Sequence, residues 1–288
     1  MAPVAPARHP VLDFAPLALV FGFLFAVSFL PPDTSKSEVD RFSRISVCMP
    51  SLYPPLVTAE SATPGFDVDL VHAIAERNGW RVNVVSNSAM GRDFNPRHWR
   101  ITRAQCQMLA GGIANTQTTS SFLDLTAPYL MTGWAFVGAS GETLDTVRGP
   151  VGFHSGMTGL DRIGLGQYLR QKRLEVAVTE DAKALRAGLE GNVYSGAVTE
   201  ALSARQVFAD SAYETALLGT PLQSFGLGIG FWKGDLTLKQ AVEETLLDMW
   251  RDGTVATIAA RYDIDADLLC NPSEPECATG AERPPETE

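Results

Sequence analysis

Short apolar blocks and longer amphipathic blocks alternate along this chain at the spacing of strands and helices. Ile45-Ser-Val-Cys-Met49 reads as a buried strand, and Asp67 to Gly79 as a helix with Leu70, Val71, Ala73, Ile74 and Ala75 on its apolar face. Arg81-Val-Asn-Val-Val85 is a second strand, and Gln107-Met-Leu-Ala110 a third that Gly111-Gly112 ends. Strand, helix, strand and a further strand make the βαβ pattern of an α/β fold. The pattern then recurs: strands at Val151–Phe153, Leu174–Val178 and Ser195–Val198 alternate with helices reaching Leu169, over Ala182–Leu189 and over Glu200–Phe208. Gly226–Phe231 is a last strand, followed by helices over Leu236–Trp250 and Val255–Tyr262.

The ends have a different character. Phe14 to Leu30 is an almost unbroken apolar run after Arg8 and His9. It is shorter than the roughly 20 residues a spanning helix wants, and Ala26-Val-Ser28 is a weak cleavage site. Residues 1–30 are therefore a signal peptide or an uncleaved anchor, and both readings export the remainder of the chain. Residues 31–43 read as a polar linker, and the Pro/Glu-rich end from Ala278 as disordered.

With 288 residues, 45% of them hydrophobic, the chain can bury a substantial core. A formal net charge of -10 without a Lys/Arg cluster argues against a nucleic-acid partner. The four cysteines (Cys48, Cys106, Cys270 and Cys277) lack a CxxC or zinc spacing. Export favours two disulfides, and spacing alone leaves three pairings open. The four histidines show no metal spacing, and no catalytic elbow, phosphate loop or dinucleotide fingerprint is present. Neither a cofactor nor a metal is expected.

Several short motifs stand in a telling order: Tyr53-Pro-Pro, Gly65-Phe-Asp-Val-Asp69, Ala110-Gly-Gly112, Asp124-Leu-Thr-Ala-Pro-Tyr129, Gly152 through Gly156, Lys233-Gly-Asp235 and Asp252-Gly-Thr254. Over roughly residues 44–264 this order resembles the extracellular solute-binding proteins of family 3, the periplasmic amino-acid-binding components of ABC transporters. The resemblance implies a two-lobe α/β fold of the type II periplasmic-binding-protein kind, each lobe a mainly parallel sheet flanked by helices, with a hinge between. Lobe 1 would be 44–134 plus 225–264, lobe 2 would be 135–224, and 265–288 a tail with a disulfide loop. The resemblance also makes the strands bearing Cys48 and Cys106 neighbours, which implies the pairs Cys48–Cys106 and Cys270–Cys277.

It assigns a ligand cleft as well. Tyr53 matches an aromatic lid, suited to an aliphatic stem or a cation, though it would equally begin a turn before Pro54. Gly111, Gly112 and Ala114 match a loop whose N–H groups face the cleft. Gly156-Met157-Thr158 matches the turn and helix start that hold a ligand carboxylate. Glu200 matches the acid that meets the ligand's ammonium, or else is a helix-start carboxylate. The chain departs from the pattern at Thr119, where the family's Thr-x-x-Arg loop carries the arginine that clamps the α-carboxylate. Either another arginine (Arg92, Arg97, Arg100 or Arg103) replaces it, or the ligand lacks that carboxylate. The resulting expectation is a monomeric, non-enzymatic periplasmic receptor that delivers an amino acid or related amine to the membrane subunits of an ABC importer. The rivals are a periplasmic accessory protein with an altered cleft and a dehydratase-like enzyme with Glu200 as its acid.

Overall fold

The computed structural model describes residues 15–27, 32–90, 95–156, 160–219, 222–273 and 277. Residues 1–34 form one unit and 35–288 a second, more densely connected one. The first contains helix α1 (Ala15–Val27). None of the helices among the described residues is long and apolar enough to cross a membrane.

The second unit begins earlier than the sequence pattern suggests. Ser35–Phe42 is a helix, α2, where the pattern reads as a linker. Only Val39 and Phe42 are apolar in it, so periodicity had nothing to register. Two contacts hold it: Val39 is buried, and the Trp80 indole donates to Asp40 Oδ1 at 2.8 Å. Ser35 also lies against Thr237, Oγ to Oγ1 at 3.2 Å.

Strands β1 (Arg44–Pro50), β2 (Arg81–Asn87) and β3 (Met108–Ala114) pair in parallel in the order β2-β1-β3. Helix α3 (Phe66–Arg77) is the β1–β2 crossover. After the short α4 (Gln117–Phe122), strands β4 (Leu123–Leu125) and β5 (Leu130–Thr132) pair antiparallel with β11 (Phe225–Trp232), which itself lies antiparallel beside β3. Helices α8 (Leu236–Arg251) and α9 (Thr254–Arg261) pack with α3 on this sheet.

The second sheet holds β6 (Trp134–Gly138), β7 (Val151–Phe153), β8 (Val176–Val178), β9 (Gly196–Glu200) and β10 (Glu214–Leu217), in the order β10-β6-β9-β7-β8. Its β9-β7-β8 part is parallel, and the other pairs are antiparallel. Helices α5 (Arg162–Gln171), α6 (Ala182–Glu190) and α7 (Ala201–Phe208) accompany it. The chain passes from the first sheet to the second between Thr132 and Trp134, and back between Leu217 and Phe225. Because β11 returns after the second sheet is built, one chain threads both.

Cys48 on β1 and Cys106 just before β3 are joined, and so are Cys270 and Cys277. The first bridge sits in a small apolar cluster with Trp99, Met90, Leu109 and Ile113.

Candidate functional site

Strand β3 does not stop at Gly111-Gly112 as the glycines suggest; it continues to Ala114. Opposite it the register with β11 slips: Gly228 faces Ile113, yet Gly230 faces Leu109. β3 therefore spends two more residues than β11 between these pairs, a bulge that frees amides from the ladder. Gly111 and Gly112 take φ values of +92° and +81°, which side chains rarely adopt. The strain-free turn of the two glycines sends both freed amides to one acceptor. Asp67 Oδ2 receives Gly111 N–H at 2.6 Å and Gly112 N–H at 2.9 Å. The Tyr129 hydroxyl donates to the same oxygen at 2.6 Å. Thus the expected cleft-facing amides of Gly111 and Gly112 turn instead toward a buried carboxyl. Ala114 is buried and paired with Leu227.

Asp67 is fully buried, and its Oδ1 has no hydrogen-bond partner. Burial raises its pKa to about 6, against the pull of Tyr129 and the two amides. Sequence reasoning saw this residue only as a motif letter. Its place at the start of α3 is readable from the helix pattern, but its partners, 44 and 45 residues away, are not.

Tyr53 and Val57 exchange backbone hydrogen bonds at 2.8 Å around Pro54-Pro55, so Tyr53 begins a tight turn. Its ring is buried as well. It fills the space a Gly112 side chain would need, with Cε1 2.5 Å from the site of a Cβ there. The turn reading and the lid reading of Tyr53 thus coexist. Burial raises the phenol's pKa well above its ordinary range, and the charges of Glu200 and Asp67 raise it further.

Glu200 lies at the end of β9, across from Trp134 in β6. It is buried, and it caps α7. Its Oε1 accepts Leu202 N–H at 3.1 Å and the Thr132 hydroxyl; its Oε2 accepts Ser203 N–H and Ser203 Oγ, both at 2.8 Å. A carboxylate offers about four acceptor positions, and the chain's own donors occupy that number. The helix-start reading of Glu200 is therefore the one in place. Its charge still acts on the cleft through Tyr53. Gly156, φ +51°, lies so close that a Cβ there would stand 2.7 Å from Glu200 Cβ. Met157 and Thr158 fall outside the described residues.

Thr119 is buried within the first turn of α4, its N–H bonded to Thr116 Oγ1 at 3.1 Å and its hydroxyl 3.0 Å from the same oxygen. The candidate replacements for the missing arginine lie elsewhere. Arg97 is exposed and stacks on Phe122 at 4.6 Å. Arg103 is paired with Asp235 at 2.5 Å, and Arg100 is exposed. Arg92 is outside the described residues. Next to Glu200, the Trp134 indole donates to Asp161 O at 3.2 Å. Trp134 borders a pocket of about 390 Å³, lined also by Asp161, Gln167, Tyr168, Gln223 and Phe225. Its lining carries amides, aromatic rings and one carboxylate, and no basic side chain.

The family profile described as bacterial extracellular solute-binding proteins, family 3, matches residues 45–264. Among solved structures, the fold is similar to that of an ancestral cationic amino acid solute-binding protein: TM-score 0.65, 18% identity, 80% of this chain and 99% of that one. It is similar to a polar amino acid ABC uptake transporter substrate-binding protein from Streptococcus thermophilus: TM-score 0.68, 16% identity, coverage 82% and 93%. It is also similar to an ancestral amino-acid-binding protein that is a precursor of cyclohexadienyl dehydratase: TM-score 0.57, 18% identity, coverage 80% and 99%. No curated protein matches the sequence.

Proposed function

The chain belongs to the bacterial extracellular solute-binding proteins of family 3, and from that premise we propose that it is an exported receptor that closes its two sheet-bearing halves on a small polar solute, an amino acid or related amine. The observation that carries this is the meeting of Tyr53 and the Gly111-Gly112 bulge from the first sheet with Glu200 and Gly156 from the second. An aromatic face near two buried carboxylates suits a cation, and the crossings at 132–134 and 217–225 are where a hinge would bend. The binding proteins of similar fold carry cationic or polar amino acids in their names. In this reading residues 44–134 with 225–264 form one lobe and 135–224 the other. The N-terminal apolar run directs the chain to the periplasm, and the closed monomer is presented to the membrane subunits of an importer.

The test is a thermal-shift screen of the exported chain against amino acids, amines and opines, followed by small-angle scattering with each hit. A ligand that binds only the native state raises the melting temperature, and a closing hinge lowers the radius of gyration. A hit that leaves the scattering unchanged would overturn the closure mechanism. A second reading, an accessory protein with an altered cleft, draws support from the four internal donors on Glu200, which satisfy that carboxylate without a ligand. A screen without hits, joined to a specific periplasmic protein partner, would favour it. Catalysis has little to work with: Glu200 is committed to α7, and Asp67 lies behind the bulge.

A further inference from the structure

We infer that the solute this protein takes is an amine or other organic cation without a carboxylate. The inference rests on the receptor reading above and names its ligand class.

A bound carboxylate needs donors, and three sources are accounted for here. The first is the arginine at the loop after β3. That position is Thr119, which is buried and engaged with Thr116. The second is the pair of bulge amides. Gly111 N–H and Gly112 N–H already have a carboxylate, the protein's own Asp67, at 2.6 and 2.9 Å. Tyr129 completes the set on the same oxygen, so Asp67 takes up the donors that a ligand's carboxylate would otherwise seek. The third is the start of α7, whose amides at 202 and 203 are taken by Glu200.

The electrostatics point the same way. The charges acting on the Tyr53 ring are those of Glu200 and Asp67, both negative. The pocket beside Trp134 is lined by glutamine amides, aromatic rings and Asp161, with no lysine or arginine. A ligand carboxylate placed here would be buried, unpaired and close to like charges. An uncompensated buried charge weakens an association by a factor of about a hundred or more. An ammonium meets the opposite conditions: a negative field and an aromatic face.

The experiment compares matched pairs that differ by the carboxylate alone: lysine and cadaverine, ornithine and putrescine, arginine and agmatine, histidine and histamine. Thermal shifts of the full exported chain are measured over a concentration series, at low salt and again at about 0.3 M salt, where loose attraction to an acidic surface is screened. The expected result is a saturable, salt-resistant rise in melting temperature with at least one decarboxylated member, with its parent binding about a hundredfold more weakly. A parent amino acid that binds as tightly as its amine overturns the inference and leaves the receptor reading intact. Shifts that vanish with salt also overturn it. No response to either member of any pair removes the receptor reading itself, and the inference with it.

Discussion

Asp67→Asn isolates the energetics of the bulge. In the folded protein the carboxyl has a pKa of about 6, raised by burial from an ordinary 3.8. The folded state therefore holds a proton between about pH 4 and pH 6 that the unfolded chain has released. Stability from this group is fully present below about pH 4 and is lost as pH rises through about 6. Each pH unit of that interval is worth about 1.4 kcal/mol, so the whole is about 3 kcal/mol. Asparagine keeps the shape and an oxygen for the Gly111, Gly112 and Tyr129 donors, but does not titrate. Its amide nitrogen would replace Oδ1, which has no partner, at a cost of about 1–3 kcal/mol that is independent of pH. The variant's absolute stability thus decides little; the trend of the difference decides everything. Tyr53 and Tyr129, the phenols around Asp67, have pKa values well above their ordinary range and stay neutral throughout. The carboxyls lowered by their partners, such as Asp40 and Asp124, cancel in the difference. Urea unfolding followed by tryptophan fluorescence from pH 4.5 to 7.5 reads it. Asp67→Asn should gain on the wild type by up to about 3 kcal/mol as pH rises. A difference that stays constant, or grows in the wild type's favour, would mean that the three donors outweigh burial and keep Asp67 ionised, and the reasoning would be refuted.

Gly112→Ala places a Cβ 2.5 Å from Tyr53 Cε1 at φ +81°; it should cost about 1–3 kcal/mol in urea unfolding and displace the Tyr53 ring, abolishing any solute-induced thermal shift. Glu200→Gln leaves a side-chain amide facing the N–H groups of α7, so a stability loss of about 1–3 kcal/mol is expected alongside weaker amine binding; calorimetric titration showing lost affinity with unchanged melting would restore Glu200 to a direct ligand role. Replacing Cys48 and Cys106 together by alanine opens a loop of 58 residues and should lower unfolding free energy by about 4 kcal/mol on the chain-entropy account, read as a lower urea midpoint.

Much of the architecture is legible in the sequence because strands and helices here each present their own periodic face. The helix from Asp67, the strand at Ile45–Met49 and the long helix from Leu236 are carried by local apolar spacing. Local spacing fails where the anchoring is remote. Helix α2 rests on one buried valine and on Trp80, some 40 residues away, so its own eight residues look like a linker. The glycines at 111 and 112 look like a strand end because nothing nearby reveals that β11, more than 110 residues on, will pair past them. Likewise the sequence names Glu200 and Asp67 but cannot say which donors reach them.

The chain's residues by themselves therefore determine the succession of elements, the motif order of the family and the absence of arginine at position 119. Only the tertiary structure decides where each buried acceptor finds its donors. A carboxyl sealed from water takes whatever N–H and O–H groups the fold brings within hydrogen-bond reach. Here the register slip between β3 and β11 brings Asp67 two amides that a ligand would have used.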